Sequence, residues 1–227
     1  VEVLDRIAFA PDAEDLIHKL HLGNAGGSIA ADVRDLVATA REVGRPKAVV
    51  EACYVENKRE GAIDIGGVTF TSRVLRANVE AVDRVFVHVT TCGNELAAIA
   101  VPAGDVLLSY CLETIKEHAL GAGLAHLRNH LREKYALGKT ADMNPGSLED
   151  WPLTEQPTLF AIFGDVEQLI GVTLTESCLM IPNKSLSGLT YQTEVSFSSC
   201  QLCPREVCSG RRAPFDAELA VEYGIIE

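Results

Sequence analysis

Apolar and polar positions alternate from Val1 to Phe9, which predicts an opening strand. Pro11-Asp12 starts a short helix through about Leu20. Gly23 to Gly27 reads as a turn, with Ser28 as N-cap of a helix ending near Gly44. A strand follows over Pro46 to Val55, and Ile63 to Phe70 forms a hairpin about Gly66-Gly67. Val74 to Val82 is helical in pattern. Arg84 to Thr90 is a half-buried strand, with Val85, Val87 and Val89 on one face. The main helical tract is Asp105 to Tyr135. Leu108, Cys111, Leu112, Ile115 and Ala119 form its first stripe, continued by Leu120, Leu124, Leu127 and Leu131. Gly121 and Gly123 within it predict a kink or a close backbone approach. The second half, from about residue 138, holds a Pro-Gly turn, a helix around Glu155 to Phe163 and strands near Gly171–Thr175, Leu179–Ile181 and Ser187–Phe197. Irregular mixing of helices with short hairpins predicts an α+β fold, a mixed or antiparallel sheet with flanking helices. The expected organisation is one unit over 1–227, in halves of about 1–137 and 138–227.

Composition narrows the function. A chain of 227 residues with 47% hydrophobic and 23% charged positions can bury a full core. Its net charge of −12 argues against nucleic acid and anionic lipid, both of which need clustered Lys and Arg. The acidic start, Val1-Glu2-Val3-Leu4-Asp5, lacks the apolar run of a secretory signal, and no stretch is long enough to span a bilayer. A cytoplasmic setting is expected. There, seven cysteines predict reduced thiols or metal ligation rather than a disulfide framework.

Four constellations carry candidate chemistry. Gly23-x-x-Gly26-Gly27-Ser28 lacks the P-loop lysine and reads as a turn and cap. His126 and His130, four apart, with His118 earlier, have zinc-like spacing, but Arg128 and Arg132 would repel a cation, so a solvated face is favoured. Cys200-x-x-Cys203-x-x-x-x-Cys208 can grip one metal, an iron–sulfur centre or zinc, and Cys178 is the leading fourth ligand. Arg205, Arg211 and Arg212 would offset the thiolate charge. Glu176, Ser177, Ser185 and Ser187 form a polar ladder that either binds a polar ligand or faces water.

Several of these blocks together resemble the activation (reactivation) domain of cobalamin-dependent methionine synthase. The blocks are Pro145-Gly146, Trp151-Pro152, Gln156, Leu159-Phe160, Gly171-x-x-Leu174-Thr175-Glu176-Ser177-x-x-Met180-x-Pro182, and Ser185-x-Ser187-Gly188. The resemblance is close over about 144–189 and looser upstream. It implies an α+β domain docking over a corrinoid-binding domain, with Pro145, Gly146, Glu176, Ser177, Ser185, Ser187 and Gly188 as cofactor-binding positions. The family pattern has an arginine three residues before the Pro, which grips the carboxylate of S-adenosylmethionine, and an aromatic residue after Pro-Gly. This chain has Asp142 and Ser147 there. The cysteine cluster has no counterpart in the family domain.

Three readings follow. The first is a stand-alone activation protein that serves a separate corrinoid-binding protein or methyltransferase, its cobalamin on that partner, with an iron–sulfur centre passing on an electron from a donor protein. The second is a non-catalytic adaptor of a methyl-transfer or folate-reducing complex with a structural metal. The third is an S-adenosylmethionine-binding reactivation domain.

Overall fold

The computed structural model describes residues 1–22, 26–194, 197–208 and 210–226. The first half comprises β1 (Glu2–Leu4), α1 (Ala13–Lys19), α2 (Gly26–Val43), β2 (Lys47–Arg59), β3 (Ala62–Ile65), β4 (Val68–Thr71), α3 (Arg73–Asn78), β5 (Arg84–Thr91), α4 (Asn94–Ala97) and α5 (Val106–Tyr135). The second comprises β6 (Thr140–Met143), α6 (Gln156–Ala161), α7 (Val166–Ile170), β7 (Thr173–Leu174), β8 (Met180–Ile181), β9 (Ser185–Gln192) and α8 (Ala217–Glu222). It also holds 3₁₀ turns at Leu153–Glu155 and Ser199–Leu202.

Seven strands make one sheet in the order β4-β3-β2-β5-β9-β6, with β1 also on β2, and every pairing is antiparallel. Strand β9 lies between β5 and β6, so strands from both halves of the chain complete the same sheet. The hairpin β7–β8 stands apart from it. This is the α+β architecture read from the sequence.

Helices cover both faces. On one, Val85, Val87, Val89, Leu189 and Tyr191 pack against Trp151, Leu159, Val166 and Leu202. On the other, Val50 and Phe86 meet Leu127 and Leu131 of α5. The first half of α5 turns its stripe of Cys111, Leu112, Ile115 and Ala119 toward α1, α2 and α4. Asp105 caps α5, its carboxylate accepting from the Leu108 amide at 2.8 Å. The helix runs unbroken to Tyr135, and of its two glycines Gly123 makes the close approach. A Cβ there would stand 2.7 Å from Thr90 Cγ2 on β5.

Three expectations need correction. Strand β5 is buried on both faces after Arg84, because α5 covers His88 and Thr90 as well. Ser28 lies inside α2, which already begins at Gly26, so it is not the cap; the turn at 23–25 lies outside the described residues. Strand β9 begins at Ser185 and ends at Gln192, short of Phe197, and residues 195–196 lie outside the described set. No described helix is long and apolar enough to cross a membrane.

Candidate functional site

The first wall of the candidate site grows from the end of β6. Asn144-Pro145-Gly146-Ser147 is a type II turn: the Ser147 amide donates to the Asn144 carbonyl at 3.2 Å, and Gly146 holds φ +83°. That left-handed position is why glycine follows proline here. The Gly146 amide donates to the Trp151 carbonyl at 2.8 Å, closing a loop over the core. Trp151 is 1% exposed and meets Phe70 edge-on, with centroids 5.8 Å apart. Asp150 ties the loop to α3, accepting from the Val74 amide at 2.9 Å and from the Ser72 hydroxyl. Asn144 Nδ2 donates to the Ser187 carbonyl at 2.7 Å. This wall is held by core packing and backbone bonds together.

The opposite wall is the cysteine loop. The Cys200 amide donates to Ser198 Oγ at 3.4 Å and Gln201 Oε1 accepts from the Ser198 amide at 2.9 Å, so a capping box closes the N-terminal end of the 3₁₀ turn. Leu202 is buried in the core, and the Asp216 amide donates to the Gln201 carbonyl at 2.9 Å. Arg211 binds the loop through its carbonyls. Its guanidinium donates to those of Cys200 at 3.3 Å, Ala213 at 3.4 Å, Cys203 at 3.5 Å and Arg205.

Between the walls lies a cleft of about 1120 Å³, lined among others by Gly146, Leu153, Cys200, Cys203, Cys208 and Arg212. Asp142 lies on its floor, but its carboxylate is already engaged: Arg128 Nη2 donates at 3.0 Å and Thr190 Oγ1 at 2.6 Å. Arg205 and Arg212 also face the cleft, and neither side chain has a hydrogen-bond or carboxylate partner among the described residues.

The thiols divide by environment. Burial pushes Cys53 and Cys92 up to about 11 and raises Cys111 as well. Cys200 is shifted the other way, chiefly by the Arg212 amide, which donates to its sulfur at 3.4 Å, with the Arg212 charge adding to it. Beneath the floor, His88 is 2% exposed, and its Nδ1 has no partner. Burial pulls it down to about 4, against the pull of Asp142, and nearby Arg128 acts in the same downward direction.

The residues singled out in the sequence scatter over three places. Gly146, Cys200, Cys203 and Cys208 share the cleft. Ser185, Ser187 and Gly188 are sheet residues: Ser185 Oγ donates to Thr91 Oγ1 at 2.8 Å, and buried Ser187 Oγ donates to Gln156 Oε1 at 2.9 Å. Gly188 passes so close to Asn144 and the Met143 carbonyl that no side chain would fit. Pro145 is the second residue of the turn. Glu176, Ser177 and Cys178 sit in the β7–β8 hairpin, where Thr175 Oγ1 bonds Ser177 Oγ at 3.0 Å and accepts from the Leu179 amide at 3.0 Å. Cys178, with φ +62°, does not line the cleft. Among the described residues no three His, Cys, Asp or Glu side chains are grouped closely enough to hold a metal ion. His130 Nε2 lies 3.1 Å from Glu2 Oε1.

Reasoning from sequence missed Arg211 as the tie of the cysteine loop and Arg128 as the partner of Asp142. It also missed His88. Carbonyl oxygens carry no sequence signature, so the first had no signal to find; the alternation along β5 puts His88 on the face opposite the valines, and its burial comes from the packing of α5.

An antiparallel sheet covered by helices, with a turn-walled cleft and a separate exposed hairpin, defines the class: an α+β domain. The crystal structure of the MetH reactivation domain bound to AdoHcy has this fold, with a TM-score of 0.57 and 12% identity over 87% of this chain and 81% of that one. No protein-family model matches the sequence, and no curated protein does.

Proposed function

We propose that this protein is a stand-alone activation protein, docking on a separate corrinoid-binding protein and supporting reductive activation or remethylation of its cobalt. The fold likeness over most of the chain carries this reading, and the β7–β8 hairpin supports it. Leu179 and Ile181 are 54% and 53% exposed there, beside Glu176 and Ser177. Apolar side chains on a short, internally bonded hairpin suit a partner surface. The chemistry would belong to the cobalt, and the protein would supply position and exclusion of water. The test is the visible spectrum of a corrinoid-binding protein held as cob(II)alamin. Adding this protein should shift the bands by changing the cobalt's axial environment; an unchanged spectrum at saturating protein would contradict the reading.

S-adenosylmethionine is a second component, favoured by the size of the cleft and its seat on the Pro-Gly turn. The Asn144–Leu153 wall would hold it, and Asp142, neutralised by Arg128, would not repel its carboxylate as a free Asp would. When bound, its sulfonium supplies the methyl group. Calorimetry with this ligand tests the component, a flat isotherm removing it. Among the described residues, the cysteines whose spacing suggests a metal centre form no group able to hold one.

A further inference from the structure

Cys200 and Cys203 stand at the two ends of one 3₁₀ turn, the Cys203 amide donating to the Cys200 carbonyl at 3.4 Å. Three residues at a rise of about 2.0 Å each place their Cα atoms roughly 6 Å apart. That lies within the ~4.4–6.8 Å span a disulfide bridges. The turn is capped by Ser198 and Gln201, and Arg211 holds the carbonyls of both cysteines, so the backbone keeps the two residues one turn apart. Both thiols are half-buried and line the cleft, unlike the buried Cys53, Cys92 and Cys111. They are also unequal. The sulfur of Cys200 accepts the Arg212 amide at 3.4 Å and lies in the field of its guanidinium, which marks it as the attacking thiolate. Arg205 and Arg212 leave two positive charges without carboxylate partners on that wall, in a chain of net charge −12. Unpaired guanidinium groups beside a thiolate favour an anionic reactant.

We propose that Cys200 and Cys203 form a redox-active dithiol that reduces a low-molecular-weight anionic disulfide entering the cleft. The Cys200 thiolate attacks one sulfur, and the bond between the two ligand sulfurs breaks. One ligand half leaves as a thiolate with the electron pair, and the other stays joined to Cys200. Cys203 gives its proton to solvent and attacks the Cys200 sulfur, releasing the second half. The protein loses two electrons and two protons as its disulfide forms, and the ligand becomes two thiols. Cys208, on the exposed stretch beyond Pro204, takes no part. This site is independent of corrinoid docking, so either can fail while the other stands.

The test uses the full chain, purified without oxygen and analysed for iron and zinc. It is reacted with the anionic disulfide dithiobis(nitrobenzoate) and, separately, with neutral dithiodipyridine. Trypsin cleaving after Arg205 puts Cys200 and Cys203 on one peptide and Cys208 on another. The expected product is the first peptide lighter by two hydrogens. Cys203→Ser should instead retain one nitrothiobenzoate on Cys200, and Cys200→Ser should leave Cys203 slow by about tenfold. Preference for the anionic reagent should fall about tenfold in the Arg205→Gln, Arg212→Gln double variant and in high salt. Stoichiometric iron or zinc released with loss of the cysteines' protection would overturn the proposal. Equal rates at Cys200 and Cys208, or pairing through Cys208, would do so as well.

Discussion

The cleft and the β7–β8 hairpin draw on the same vocabulary of Ser, Pro, Gly and apolar residues and use it in opposite directions. At the turn wall of the cleft, the glycine and proline fold the backbone over a buried tryptophan, and the polar groups are consumed inside. At the hairpin, Thr175 consumes the local polar groups and the apolar side chains of Leu179 and Ile181 are left in solvent. The cleft is a walled space lined by polar and apolar groups, and the hairpin presents exposed apolar side chains. A dense run of such residues in sequence therefore does not mean one site.

The largest effect should come from the turn wall. Trp151→Ala removes the side chain that anchors it and should cost about 3–5 kcal/mol in a urea or thermal melt. The cleft should open with it, whereas the hairpin, held by its own bonds through Thr175, should keep its hydrogen-exchange protection. Next comes the chamber under the cleft floor. His88, held neutral by burial near Asp142 and Arg128, has its folded pKa lowered to about 4. Its contribution is therefore present above the unfolded value of about 6.5. It is lost as pH falls through about 4. Stability should drop by on the order of 3 kcal/mol across that window. His88→Gln should flatten the slope; an unchanged slope would show that carboxylates alone produce it.

Arg211→Ala tests the second wall. Losing a guanidinium that serves four carbonyls should cost about 1–3 kcal/mol locally. Limited proteolysis should then cut within 198–213 while the melting temperature of the sheet barely moves. The smallest effect belongs to the hairpin. Thr175→Ala removes the hydroxyl that bonds Ser177 and the Leu179 amide and should cost about 1 kcal/mol, read as faster amide exchange at Leu179.

The sequence was most legible where local rules decide the outcome. The helix starts at Pro11-Asp12 and Asp105, the Gly66-Gly67 hairpin and the Pro145-Gly146 turn each follow from a few adjacent residues, and the motif blocks pointed to the fold. Tertiary context accounts for the misses. Val85, Val87 and Val89 mark one apolar face of β5, but only the packing of α5 shows that His88 and Thr90 are buried too. Cys178 is a candidate ligand because the strands after it could carry it back beside the cysteine cluster; it sits in the β7–β8 hairpin and is not among the residues lining the cleft. The charge of Asp142 is plain in the sequence, but its partner Arg128 lies fourteen residues earlier in the chain, where no local rule marks it.

The most direct test of the docking account is a binding titration of this protein against a corrinoid-binding protein held as cob(II)alamin, repeated with the Leu179→Asp, Ile181→Asp variant. The unaltered chain should form a saturable one-to-one complex, weakened at least about tenfold by the hairpin charges, with the fold unchanged by circular dichroism. No complex, or one that the charged hairpin leaves intact, would contradict it.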